Sequence, residues 1–242
     1  MASMAGHRIL SSTDARLRIS PWRGDVGTAH LTPGRARPTP ASIARALDEL
    51  ATGSYRAALT AALPAAEQRP FLDAGFEVHE RLHLLVRSVD DLPQLDPPLA
   101  DLRRGHHADR PAVLAVDAAA FPPFWRLDQL GLDDALAATP SARLRVAVDP
   151  HDRSVNGYAV TGRAGPRGYL QRLAVTPAAQ GAGIGAALAV DGLRWLRRRG
   201  ANEVLVNTQE GNEPAVRLYQ RLGFHLRADG LAVLRRTLGQ AS

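Results

Sequence analysis

The stretch Leu173-Ala-Val-Thr-Pro-Ala-Ala-Gln180-Gly-Ala-Gly183-Ile-Gly185-Ala-Ala-Leu188 passes from a β-rich segment through a glycine turn into a helix. Glycine lets backbone amides approach an anion closely, and the start of a helix adds its positive dipole. Such a turn can hold a pyrophosphate without a basic side chain. No Gly-Lys-Ser/Thr follows, so it is not a P-loop, and Gly-Ala-Gly-Ile-Gly lacks the third-glycine spacing of a dinucleotide fingerprint. On its own the turn reads equally well as a tight strand–helix connection.

Around the turn the pattern alternates between strand and helix. Arg143–Val148 alternates as a strand, and Asn156–Thr161 and Gly168–Val175 are β-rich. The helix opened by the turn runs to about Arg199, with Leu188, Ala189, Gly192, Leu193 and Leu196 on one face and Asp191, Arg194 and Arg198 opposite. Gly200 stops it, and the terminal arginines Arg197, Arg198 and Arg199 suit its negative end. Glu203–Thr208 reads as a strand. Glu213-Pro214 starts a second helix, with Ala215, Leu218, Tyr219 and Leu222 on its buried face. Gly223 ends that helix and Phe224 begins the last strands.

Gln180, Gly183 and Gly185 fit the pattern Arg/Gln-x-x-Gly-x-Gly/Ala, and Asn212, Ala215, Tyr219, Gly223 and Phe224 fit Asn-x-x-Ala-x-x-x-Tyr-x-x-x-Gly-Phe. In this order and spacing they resemble the two signatures of the GCN5-related N-acetyltransferases (GNAT), closely over Leu173–Phe224 and more weakly over about Pro98–Leu238. The resemblance implies an α/β GNAT fold, a mixed central sheet flanked by helices, with acetyl-CoA as co-substrate. It implies acetyl transfer to a primary amine of a small molecule or a protein N-terminus. Backbone groups of Leu173, Ala174 and Val175 would then meet the pantetheine arm and polarise the thioester carbonyl. The amides of Gln180, Gly181, Ala182, Gly183, Ile184, Gly185 and Ala186 would cradle the pyrophosphate, with Asn212 alongside. Tyr219 would protonate the departing thiolate. Direct attack by the amine needs no enzyme nucleophile, in agreement with a chain that lacks cysteine. The general base stays unassigned. In the branch that acetylates protein N-termini a Glu stands twelve residues before this Tyr, where this chain has Asn207. Glu210 nearby reads as a solvated loop charge, and ordered water or loss of the proton to solvent are the other routes. A CoA-binding regulatory module without turnover is the alternative function.

The first half of the chain repeats the later part of this plan. Thr32-Pro33 parallels Thr176-Pro177, a helix starts at Thr39-Pro40, and Tyr55–Ala61 reads as a strand. Ala65–Ala74 reads as a helix that ends in Gly75-Phe76, parallel to Gly223-Phe224, and Val78–Val89 and Leu231–Leu238 are matching apolar β segments. Phe71 takes the place of Tyr219, and Gly34-Arg-Ala-Arg-Pro-Thr-Pro40 takes the place of the glycine turn. Prolines lack the N–H donors a pyrophosphate needs. The expected organisation is therefore a loose terminus at 1–15, a partial, degenerate GNAT-like half-domain at 16–90, a proline-rich linker at 91–99 and a catalytic GNAT domain at 100–238. Three roles are open to the silent half: completing the surface, walling the acceptor site, or pairing two copies into a homodimer.

Composition bounds the rest. The chain has 242 residues, 45% hydrophobic and 22% charged, which is the balance of a globular protein. It has no lysine, and all 30 basic residues are arginines scattered along the chain, so the charge of +6 reads as composition and no specific nucleic-acid partner is expected. No apolar run approaches twenty residues and the N-terminus has no apolar signal core, so a cytoplasmic protein without membrane contact is expected. His106, His107 and His151 lack metal-ligand spacing and read as exposed loop residues, so no metal is expected. Phe121-Pro-Pro-Phe-Trp125 is an aromatic, proline-stiffened loop. It reads either as a cover on the core or, from the resemblance, as a wall of the acceptor site.

Overall fold

In chain order the elements are β1 (Arg8–Ser11), β2 (Arg16–Trp22), β3 (Asp25–Pro33), α1 (Pro40–Ala51), β4 (Ala57–Thr60), β5 (Leu63–Pro64), α2 (Ala65–Asp73) and β6 (Glu77–Ser88). They continue with β7 (Asp101–Arg104), α3 (Arg110–Ala120), α4 (Gln129–Ala137), β8 (Ser141–Val148), β9 (Val155–Ala164), β10 (Arg167–Val175), α5 (Ile184–Arg198), β11 (Glu203–Gln209), α6 (Glu213–Arg221), β12 (His225–Leu226) and β13 (Leu231–Thr237). The computed structural model describes residues 8–11, 16–23, 25–34, 37–95 and 100–239. The chain divides into two units, residues 84–227 and residues 1–83 together with 228–242.

In the larger unit β6, β11, β10, β9, β8 and β7 lie side by side. Pairing is antiparallel from β7 to β10 and parallel between β10 and β11. The run Gly157–Gly162 is buried throughout because both faces of the sheet are covered. Period-two alternation sends Tyr158 and Val160 to one face, where Val113 and Val116 of α3 and Leu132 of α4 pack, and sends Ala159 to the other, under Ile184 and Leu188 of α5. Leu193 and Leu196 extend the second layer over Val204 and Val206, with Tyr219, Leu222 and Phe224. The buried side of α5 is wider than one stripe, since Val190 and Trp195 are also buried.

The smaller unit has β1, β2, β3, β4, β13 and β6 in that order. Leu17, Ile19, Leu31, Ile43, Leu47, Phe71 and Leu234 form its core. The two units carry the same helix ending. Phe71 meets Phe76 edge-on at 5.4 Å, and Tyr219 meets Phe224 at 5.6 Å. Gly75 and Gly223 both take left-handed φ, 79° and 81°, which releases the chain from the helix. Arg236 donates to the carbonyl of Ala74, and Arg87 donates to the carbonyl of Leu222.

The expected boundaries need correction. β13 was placed in a domain spanning 100–238, yet Ala232, Leu234 and Leu238 belong to the core that holds Leu31 and Phe71. Leu85 and Val89, at the end of the expected half-domain, pack with Leu193 and Phe224. Each repeat thus gives its final strand segment to the other's core. The terminus is not loose throughout, since Arg8–Ser11 pairs with Arg16–Ile19, while 1–7 and 12–15 lie outside the described residues. In the expected linker Leu92 and Leu95 pack on a core, and 96–99 lie outside the described residues.

Candidate active site

Parallel pairing of β10 with β11 covers only Arg167–Tyr169 against Glu203–Leu205. Beyond that point the strands run on to Val175 and Gln209 without pairing with each other, which opens the sheet. Thr176 N donates to Asn156 O at 2.9 Å, so the backbone of Thr176 turns toward β9. By period two Ala174 also faces β9, and the N–H and C=O groups of Leu173 and Val175 face the opening. A cavity of about 490 Å³ occupies this place.

The glycine turn forms the next wall. Gly181 and Gly183 have φ of 84° and 82°, the left-handed region that strains any side chain. Gly183 caps α5 without a side-chain hydrogen bond, and the first bond of the helix is Ala187 N to Gly183 O at 3.0 Å. The amides of Ile184, Gly185 and Ala186 therefore have no intrahelical acceptor and sit at the positive end of the dipole. A Cβ on Gly181 would point into open space. A Cβ on Gly185 would lie at ordinary contact distance, 3.4 Å, from Leu218.

Of the residues singled out in the sequence, Leu173, Ala174, Val175, Gln180, Gly181, Gly183, Ile184, Gly185, Ala186, Asn212 and Tyr219 line this cavity. Ala182 does not and borders a neighbouring one beside Asn156. Two side chains are already engaged. Gln180 Nε2 donates to Val175 O at 3.1 Å, and Asn212 caps α6 by accepting from Ala215 N at 3.3 Å. Tyr219 is buried, and its burial pushes the hydroxyl above the ordinary tyrosine range against the opposing charge of Arg172. Asn207 and Glu210 are exposed and lie off the cavity, whose lining contains no carboxylate and no imidazole.

The aromatic loop is fastened from below. Phe121 lines the cavity, and the guanidinium of Arg172 sits 3.5 Å from its ring centre. Arg172 donates to Trp125 O at 2.6 Å and grips Asp117 with two bonds of 2.8 and 2.9 Å. Asp117 is fully buried in α3 and also accepts from Tyr158 Oη and from Leu127 N. Asp117, Tyr158, Arg172 and the cavity residue Arg221 did not emerge from the sequence. A signal existed for the first of them, because Asp117 interrupts the apolar face of Val113, Val116 and Ala120, where a carboxylate requires a buried cation. His106, His107 and His151 are exposed, and no cluster of metal-ligating side chains occurs among the described residues.

The corresponding place in the smaller unit is built differently. β3 and β4 stay paired through Leu31 and Thr60, with Ala61 N donating to Leu31 O at 3.0 Å, so the strands do not part. The start of α1 is closed by its own side chains: Ser42 N donates to Thr39 Oγ1 at 3.2 Å and Thr39 N donates to Ser42 Oγ at 2.9 Å. Arg35 and Ala36 of the expected turn lie outside the described residues.

The model for the Acetyltransferase (GNAT) family matches residues 113–224, the span from α3 to Phe224. A mycothiol acetyltransferase of Salinispora arenicola is 34% identical over 91% of this chain and 74% of its own length. One from Rhodococcus jostii is 32% identical over 92% of this chain and 81% of its own. The chain belongs to the GNAT acetyltransferase family. One from Parafrankia is 35% identical over 62% of this chain, and there the match spans about half of the relative's length, 54%. Among solved structures, this GNAT chain is similar to a tandem GNAT protein from the clavulanic acid biosynthesis pathway, with a TM-score of 0.69 at 14% identity over 95% of this chain and 80% of that one. A GCN5-related N-acetyltransferase from Kribbella flavida gives 0.65 at 14% identity, covering 96% and 90% of the two chains. Both likenesses concern the fold alone. No helix among its described residues is long and apolar enough to cross a membrane.

Proposed function

We propose that the larger unit transfers an acetyl group from acetyl-CoA to a primary amine of a small molecule. One observation carries this reading. The edge of Leu173 and Val175 that β11 leaves open, the uncapped amides of Ile184–Ala186 and the Tyr219 side chain all border a single cavity. The amides suit a pyrophosphate, and the strand edge suits an amide-bearing arm that adds to it as a further strand. Acetyl-CoA supplies the thioester: the amine nitrogen bonds to the carbonyl carbon, and the carbon–sulfur bond breaks. Tyr219 donates to the sulfur as its negative charge grows. The cavity holds no carboxylate or imidazole, so the ammonium form loses one proton to water before attack, the nitrogen loses a second to water as the amide forms, and Tyr219 regains from solvent the proton it gave to the sulfur.

A small-molecule acceptor is favoured over a protein N-terminus because Asn207 cannot take a proton and is exposed away from the cavity. The curated relatives are named mycothiol acetyltransferases, so a mycothiol-related amine is the first acceptor to test. The absence of a base from the cavity favours one competing reading, a CoA-binding module without turnover. Release of CoA thiol, followed across a panel of amines and peptides, separates the two. Acceptor-dependent release supports transfer, whereas acetyl-CoA binding with no release from any acceptor supports the module. The smaller unit is proposed to be silent, since its strands stay paired and its helix start is capped by Thr39 and Ser42.

A further inference from the structure

The larger unit contains a second cavity, of about 550 Å³, that shares no lining residue with the first. It is lined by Arg104 at the end of β7 and Gly105 to His107 after it, by Ser141 to Arg145 at the start of β8, and by Trp195 and Arg199 at the end of α5. The glycine turn lies at the other end of α5, about 22 Å away for fifteen residues at the helical rise.

Five arginines line this cavity, Arg104, Arg110, Arg143, Arg145 and Arg199, together with His106 and His107 and no carboxylate. Asp133 pairs with Arg110 at 2.5 Å. Asp191 alone serves both Arg143 and Arg145, the latter at 3.1 Å. The nearby Asp109 is taken by Arg103, which does not line the cavity. Arg104 and Arg199 have no carboxylate partner among the described residues and are exposed at the rim. The site therefore holds a surplus of positive charge, and Nε of Arg143 is buried without an acceptor. Burial, reinforced by Arg145, holds the Arg143 pKa below its ordinary value against the pull of Asp191. The helix dipole accounts for cations at the end of α5 but not for Arg104, Arg143 and Arg145, which stand on or beside strands.

We infer that this cavity is a second anion site, built to take a small phosphate-bearing molecule. Guanidinium forks converging from strand, loop and helix end match the several oxygens of a phosphate or diphosphate. Trp195 is buried beneath this cavity and holds Arg143 and Arg199 over its ring, 5.2 and 5.5 Å from its centre.

The test is calorimetric titration of inorganic pyrophosphate into the full chain at physiological salt, with one equivalent of CoA per chain present to fill the first cavity. One saturable site is expected, and Arg104→Gln combined with Arg199→Gln weakens it at least about tenfold while leaving acetyl-CoA affinity unchanged. Among the described residues these rim positions make no ion pair, and a thermal melt of the variant confirms that the loss of the Arg199–Trp195 contact leaves it folded. The inference is overturned by a response that does not saturate, by unchanged affinity in the rim variant, or by binding confined to long oligonucleotides with a steep salt dependence, which marks a nucleic-acid surface. The same titration without CoA, compared between parent and rim variant, still reads this cavity if the cofactor reading fails, so the two stand or fall separately.

Discussion

Asp117→Ala removes the carboxylate that accepts from Arg172, Tyr158 and Leu127, and it leaves the Arg172 guanidinium with a side chain only 12% exposed. Breaking a buried pair from one side costs about 3–5 kcal/mol, because the remaining charge is neither solvated nor paired. For a chain of this size each kcal/mol lowers Tm by about 2–4 °C, so a drop of roughly 6–20 °C is expected. The loss has two parts. The stranded charge is the larger, and the freed Leu127 amide and Tyr158 hydroxyl are the smaller. Asp117→Ala combined with Arg172→Met removes the stranded charge and keeps an apolar stem under Phe121, so it recovers a substantial part of the loss. Thermal melts of the parent, both single variants and the double variant give the coupling directly. A Tm within about 1 °C of the parent for Asp117→Ala, or a double variant no more stable than Asp117→Ala, refutes the buried-pair reasoning.

Three further outcomes are expected. Tyr219→Phe lowers kcat by about a hundredfold and changes acetyl-CoA affinity little, because the hydroxyl acts on charge that appears only as the sulfur leaves. Equal rates with chemistry shown to be limiting remove Tyr219 from the mechanism. Hydrogen bonding to Arg103 holds the Asp109 carboxyl at about 2, below its ordinary 3.8. The ionised form is thus favoured by folding, and its contribution is full above about pH 4 and is lost as the pH falls through about 2. Asp109→Asn costs under about 1 kcal/mol near neutrality, and urea melts of parent and variant converge at the acid end. If the amine reacts only after losing its proton to water, kcat/KM rises with pH up to the acceptor's own pKa. A bell-shaped profile with an enzyme pKa below it shows instead that a base was missed.

The core of the larger unit was legible because its signals are local. The glycine turn, the α5 face and the Gly223 stop each occupy a short window, and β8 to β11 carry dense β-branched alternation. β2 and β3 were not legible as strands, since Pro21 interrupts β2 and Gly27 and Pro33 weaken the β pattern of β3. The exchange of β6 and β13 between cores was invisible, because an apolar strand states that it will be buried and not against what. The cavity lining was read from motif spacing. The clamp below it was not, because Asp117 and Arg172 are joined only by the tertiary fold, 55 residues apart in sequence.

The central claim is that one cofactor binds per chain, on the glycine turn and parted strands of the larger unit. Its most direct test is the stoichiometry of acetyl-CoA binding by equilibrium dialysis, for the parent and for Gly183→Trp. The substitution places a bulky side chain at φ 82°, costing about 1–2 kcal/mol of backbone strain, so a melt confirms that the fold survives. One mole per mole of chain is expected for the parent, and none for a folded Gly183→Trp. Two moles per chain, or an unchanged single site in the variant, would contradict the account.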